Sequence, residues 1–101
     1  MWNEDVTLIS IQYEVDGIGD PVEIATKNTV FACEKSISQT EFYQAQAVGL
    51  KPQVKLVVKR VDYQNEQLAE YQGERFRVLR TFKSNSEDIE LVLEGDNHGG
   101  S

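Results

Sequence analysis

The sequence holds one cysteine and one histidine, so two residue types that build many reactive and metal-binding centres are nearly missing. A single thiol, Cys33, cannot form an internal disulfide, and stability must come from packing or from neighbouring subunits. Its neighbours Ala32 and Glu34 lack the cationic setting of a reactive thiol, and we expect Cys33 to be buried. Because Cys33 and His98 are far apart in the sequence, they do not form a zinc-ligand spacing. The sequence also has no glycine-rich phosphate loop of the usual pattern. We therefore expect a protein that is not an enzyme and has no cofactor.

Long apolar runs and an excess of positive charge are also missing. The longest aliphatic run covers residues 56–58, far short of the roughly 18 apolar residues that span a membrane. The first residues are acidic and do not resemble a secretory signal, so we expect a cytoplasmic protein that contacts no membrane. The formal net charge is −7 at pH 7. Because duplex DNA presents a dense row of phosphates, this charge argues against sequence-specific nucleic-acid binding.

The sequence does contain a series of short segments with the alternation typical of strands. The first segment, residues 5–15, shows one phase shift at residues 9–10 that suggests a bulge, and a turn-rich tip follows at 16–21. The next has an irregularity at residues 27–28. The remaining strands are predicted at 22–35, 53–61, 68–71, 75–82 and 89–94, with a tight corner at Gln72-Gly73.

One helix is predicted near the middle of the chain, at about residues 39–48. Ser38 followed by Glu41 is a capping box, in which each residue bonds the backbone amide of the other. Phe42 and Ala45 share one face, which we expect to join the core, and Gly49 ends the helix.

These elements predict a mainly β fold. We expect a small, closed or partly open antiparallel β-barrel of five to six strands with one inserted short α-helix, because closure removes exposed sheet edges. The length fits one domain, residues 1–94, and residues 95–101 form a polar tail that we expect to be flexible. In the strand 75–82, alternation predicts one face made of Phe76, Val78, Arg80 and Phe82.

Three short motifs occur in a fixed order between residues 37 and 93: EFYQA at 41–45, DY at 62–63 and YQG at 71–73. With these motifs the chain resembles the head–tail joining proteins of long-tailed bacteriophages, which are also called head-closure, head-completion or stopper proteins. The resemblance implies a β-barrel-like ring subunit that assembles below the portal and adaptor, closes the DNA-filled head and docks the tail. It further implies host cytoplasm during assembly and then the head–tail junction of the virion, or a prophage origin.

The partners implied are other copies of the chain, portal and adaptor proteins, and tail proteins. The ring would be twelve-fold on the portal, and a monomer in isolation remains an alternative. Two other functions stay open. One is a tail-completion protein on the tail side of the same joint, and the other is a small acidic binding module. That module would be a DNA mimic, or a single-strand binder using Arg75, Phe76, Arg77 and Phe82.

The resemblance also implies three groups of site residues. The outer side of the helix would bind a neighbour or the adaptor through Glu41, Tyr43 and Gln44. The segment after the helix would project toward the central channel as a stopper loop, formed by Val48, Gly49, Leu50, Lys51, Pro52 and Gln53. Because rings use head-to-tail surfaces, charges between subunits would come from Lys55, Lys59, Arg75 and Arg77. Two of these groups have a competing interpretation: the helix residues and the charged residues could simply face solvent without binding a partner.

Overall fold

The computed structural model describes residues 4–96 as six antiparallel strands and one helix. The strands hydrogen-bond in the order β1-β2-β3-β6-β5-β4, and β4 returns to pair with β1 and closes the barrel. This confirms the prediction of a small antiparallel β-barrel with one inserted short helix. The elements are β1 (Glu4–Val15), β2 (Pro21–Lys35), α1 (Gln39–Ala47), β3 (Val54–Lys59), a 3-10 turn (Arg60–Asp62), β4 (Leu68–Tyr71), β5 (Glu74–Lys83) and β6 (Asp88–Gly95).

The core fills the barrel interior with alternate residues of all six strands. Side chains of a strand point to opposite faces in turn, so alternate residues within the barrel part of each strand enter the same interior. Tyr71 is the polar member of this core, and its hydroxyl donates a hydrogen bond to Glu34 Oε1 at 2.7 Å. The buried cluster consists of Val6, Leu8, Val30, Ala32, Leu56, Val58, Ala69, Tyr71, Phe76, Ile89, Leu91 and Leu93.

The ladder between β1 and β2 is continuous from Glu4–Ala32 to Val15–Pro21. The predicted bulge at residues 9–10 and the predicted irregularity at 27–28 are therefore both wrong. The shift of apolar phase has another cause, since Leu8 and the adjacent Ile9 are both buried although they lie on opposite faces of β1. Burial of both faces breaks the alternation without breaking the ladder.

The bulge of this barrel lies instead in β5, where the pairing with β6 shifts between Val78 and Arg80. Val78 is opposite the core residue Leu93, whereas Thr81 is opposite the core residue Leu91. The inward-facing positions of β5 therefore change from even to odd residue numbers at Leu79. The predicted face of alternate residues 76–82 is therefore wrong beyond residue 78. Arg80 and Phe82 lie on the outer side of the barrel.

The helix begins and ends close to the predicted residues. The Ser38 hydroxyl accepts from the Glu41 amide at 3.1 Å, Glu41 Oε1 accepts from the Ser38 amide, and both bonds of the capping box are present. Gly49 follows the helix with φ +83°. The helix has no fully buried residue and lies outside the barrel, where Glu41 contacts Lys55 of β3 and Arg80 of β5. The expectation that Phe42 and Ala45 belong to the core is therefore wrong, since both are only half-buried.

The two predicted turns are also present. Gln72 and Gly73 both have positive φ, as a two-residue type I′ turn between β4 and β5 requires. At the β1–β2 tip, Asp16 Oδ1 accepts from the backbone amides of Ile18 and Asp20 at 2.9 and 3.0 Å. An aspartate side chain thus folds the tip back on itself.

Candidate interaction surfaces

The far ends of β1 and β2, with their turn, form an exposed two-stranded arm, residues 12–29. Every residue of the arm is exposed, whereas the same two strands are buried at the barrel end, as at Val6 and Val30. The described chain measures 50 × 30 × 24 Å, which is elongated for a small barrel. The arm therefore projects from the barrel into solvent.

The arm carries large apolar side chains that water surrounds in the isolated chain. Tyr13, Val15 and Ile18 are 69%, 73% and 83% exposed, and Val22 and Ile24 are exposed as well. Soluble monomers rarely leave such residues adjacent to one another at the surface, and patches of this kind mark interaction sites. The arm has the composition of a surface that a partner covers.

Both long edges of the arm lack a strand partner among residues 4–96. β4 pairs with β1 only at residues 7–9, and β3 pairs with β2 only at residues 33–35. An unpaired edge offers backbone amides and carbonyls to any further strand, and natural proteins normally cover or blunt it. The unpaired backbone edges and the exposed apolar side chains of the arm therefore both favour a binding role.

The stopper loop predicted at residues 48–53 does not project in this structure. The Lys51 amide donates to Glu94 Oε1 at 2.8 Å, and the Gln53 amide donates to the Leu93 carbonyl at 2.8 Å. Two hydrogen bonds lower the pKa of Glu94 below its ordinary value: the one from the Lys51 amide has the larger effect, and the one from Arg77 the smaller. The loop is fastened along β6, which corrects the expectation of a projecting segment. Whether it faces a channel stays a prediction.

The predicted interface helix divides into an inner and an outer part. Glu41 lies against the barrel, where its Oε1 accepts from Lys55 Nζ at 2.7 Å, and the expectation that it lies on the outer side is wrong. This hydrogen bond, followed by those from Ser38, lowers the pKa of Glu41 despite the opposing effect of burial. Tyr43 and Gln44 are exposed, as expected for residues that could meet a partner.

Lys55 is not available as a charge between subunits. It is buried on the outer wall of β3 beneath the helix, with Glu41 at 2.7 Å and Glu90 at 3.6 Å. The bond to Glu41 raises the pKa of Lys55 above its ordinary value. The prediction that Lys55 contacts another subunit is therefore wrong. Its ion pair with Glu41 links the helix to the barrel.

The other three predicted charges each have an acidic neighbour on an adjacent strand or turn of the same chain. In such pairs part of the charge is already balanced, so a partner meets an ion pair and not an isolated cation. The pairs are Lys59 with Asp88 at 3.1 Å, Arg75 with Glu70 at 3.9 Å, and Arg77 with Glu94 in a short contact.

The cluster proposed for single-strand binding is divided by the barrel wall. Phe76 is buried in the core, whereas Arg75 and Arg77, its neighbours in β5, point to the outer face. A stacking platform needs aromatic and basic side chains on one surface. Only Phe82, beyond the bulge, joins the arginines there, so the expected convergence of these four residues is wrong.

The sequence contained a signal for the arm that the prediction did not use. The strand segments 5–15 and 22–35 are long for a barrel built from strands of four to ten residues elsewhere. Strands much longer than their neighbours must extend beyond the sheet that the neighbours complete. The two long strands therefore indicated a projecting hairpin.

Over residues 4–96, no group of three or more His, Cys, Asp or Glu side chains is arranged to hold a metal ion. The single free cysteine, Cys33, is half-buried at the start of the β2–β3 ladder, so the expected full burial is wrong. His98 and most of the predicted tail lie outside the described residues. No helix in the described part of the chain is long and apolar enough to cross a membrane.

The sequence matches no protein-family model, and no curated protein matches it significantly.

Proposed function

We propose that this chain is a structural subunit of the bacteriophage head–tail connector. It assembles as a ring below the portal and adaptor, closes the filled head and provides a surface to which the tail docks. A tail-completion role on the other side of the same joint remains the alternative. The resemblance of the three ordered motifs is one support for the proposal, and the barrel with its inserted helix agrees with the architecture that this resemblance implies.

The observation that carries the proposal is the exposed apolar arm. A closed barrel with a satisfied core needs no further strand pair for its own folding, yet residues 12–29 extend both strands into solvent. Maintaining Tyr13, Val15 and Ile18 in water is unfavourable, and burying each against a partner recovers up to about 1.5–3 kcal/mol. A protein that acts by assembly makes use of such a surface.

Imaging of portal–adaptor complexes mixed with the purified chain tests this function. We expect a ring of added density at the portal exit. The matched control is a chain in which a two-residue Asn-Gly turn joins Ser10 to Thr26, which removes most of the arm and leaves the barrel residues intact. Absence of density with the natural chain would contradict the connector function.

Phages that lack the gene distinguish the head side from the tail side. On the head side, loss of the protein should leave packaged heads that release their DNA and finished tails that stay unattached. On the tail side, heads should keep their DNA and the tails should be defective. Normal virions from the deletion phage would overturn both versions of the proposal.

A further inference from the structure

We propose that the arm of one copy binds the outer face of β5 on the next copy. This inference rests on the proposed function, because it names the contact between neighbouring subunits of the ring. It identifies the partner of the arm as a second copy of this chain, at a surface different from the arm itself.

The arm is acidic as well as apolar. It carries four carboxylates, Glu14, Asp16, Asp20 and Glu23, against one cation, Lys27, which gives a net charge of −3. The side chain of Asp16 is occupied within the turn, but Glu14 and Glu23 lie on opposite faces of the ribbon. A binding surface for the arm should therefore present cations on a partly apolar face.

The outer face of β5 presents such cations. The Arg77 side chain is 55% exposed and its partner Glu94 only 15%, and Arg80 is 60% exposed against 27% for Glu41. In both pairs the carboxylate lies close to the barrel wall and the guanidinium is exposed to solvent. A guanidinium has five N–H donors in a planar fork, so donors remain for a second carboxylate from another copy.

The same face also offers an apolar contact. Phe82 is exposed on the outer side of β5 next to Arg80, and both line a groove of about 450 Å³ with Thr81 and Val92. The two carboxylates that also line it, Glu41 and Glu90, are paired with Lys55 in the same groove, so Arg80 is its outermost charge. An exposed aromatic ring beside a guanidinium is a frequent anchor at protein interfaces. Phe82 and the apolar residues of the arm are complementary in this respect.

The size of the arm agrees with that of a subunit contact. The arm contains 18 exposed residues, residues 12–29, whereas a standard protein interface involves about 20–30 residues a side. Because the arm and the β5 face are different surfaces, each copy would donate one and accept the other. Such head-to-tail contacts close into a ring when the rotation permits, and no isologous dimer is expected.

Paramagnetic NMR tests the contact without any viral partner and detects weak association. A nitroxide is attached to an unlabelled chain at the arm tip through Gly17→Cys, in a Cys33→Ala background. A Cβ at Gly17 meets no atom within 4 Å. Mixed with a ¹⁵N-labelled chain at millimolar concentration, it should broaden amides of β5 around Arg80. The diamagnetic analogue at the same site is the control.

Charge reversal identifies the groups responsible. Glu14→Lys/Glu23→Lys in the nitroxide chain should weaken the broadening at least tenfold, and Arg77→Glu/Arg80→Glu in the labelled chain should restore it. An amide spectrum that keeps its dispersion establishes that each variant is folded. Broadening confined to the other chain's arm, broadening elsewhere, or none at all would overturn the inference. Failure of the connector function would appear separately, as missing density at the portal.

Discussion

The barrel and the arm are two regions made from the same two strands, and they are stabilised by different interactions. At the barrel end, β1 and β2 bury Val6 and Val30 among the other strands, whereas the arm buries none of its side chains. The hydrogen-bond ladder is continuous through both regions. Continuous backbone pairing therefore does not imply uniform stability, because burial differs so strongly along one ladder.

The energy scale of the two regions differs accordingly. Burial of one large aliphatic side chain contributes about 1.5–3 kcal/mol, while an exposed cross-strand pair contributes about 0.2–1 kcal/mol. An isolated two-stranded ribbon is at best marginally stable in water. The arm is ordered because its strands start from a barrel that the core already holds in place. We expect substitutions to have large effects in the barrel and small ones in the arm.

The largest contrast should come from truncating one apolar residue in each region. Leu91→Ala, at a fully buried position, should lower the free energy of unfolding by about 2–5 kcal/mol through lost burial and a cavity. Ile18→Ala, at the arm tip, should change it by less than about 0.5 kcal/mol. Urea denaturation measures both. An equal loss in the two variants would mean that the arm contributes to the folded core.

A smaller effect is expected from carboxylates. Glu41→Ala removes half of the capping box and leaves the buried Lys55 with only Glu90, so we expect a loss of about 2 kcal/mol in the free energy of unfolding. The matched arm variant, Glu23→Ala, should stay within about 0.5 kcal/mol. Thermal and urea unfolding measure the pair. A neutral Glu41→Ala variant would show that the helix is not fixed by this contact.

Acid should destabilise the barrel through two of its carboxylates, Glu41 and Glu94. The pKa values of Glu41 and Glu94 are lowered in the folded state, so below their ordinary value of 4.5 the unfolded chain binds more protons than the folded one. The free energy of unfolding should therefore be fully retained above pH 4.5 and fall as the pH drops toward the folded pKa values. Glu41→Gln/Glu94→Gln should flatten this decline in urea titrations at pH 3 to 7. An unchanged slope would contradict the assignment.

The sequence was sufficient for the barrel because each of its elements has a local cause. The capping box at Ser38 and the turn at Gln72-Gly73 depend on neighbouring residues alone, and the structure contains both. The bulge at Leu79 depends on pairing with β6, and no residue within β5 announces it. The orientation of Glu41 toward the barrel likewise depends on Lys55, fourteen residues later, and alternation alone does not show that these two residues meet.

The smallest expected effects come from glycines with positive φ in the two regions. Gly73 in the β4–β5 turn has φ +80° and Gly19 at the arm tip has φ +90°, so alanine costs each backbone about 1–2 kcal/mol locally. Gly73→Ala should lower the free energy of unfolding by about 1 kcal/mol, because the turn joins two strands of the barrel and must form for the barrel to fold. Gly19→Ala should leave it nearly unchanged, since the tip can fray while the barrel stays folded, and faster amide exchange in the arm should be its only sign. Gly17→Ala, without a positive φ, is the control and should alter neither measurement. A global loss in Gly19→Ala equal to that in Gly73→Ala would mean that arm and barrel unfold as one cooperative unit.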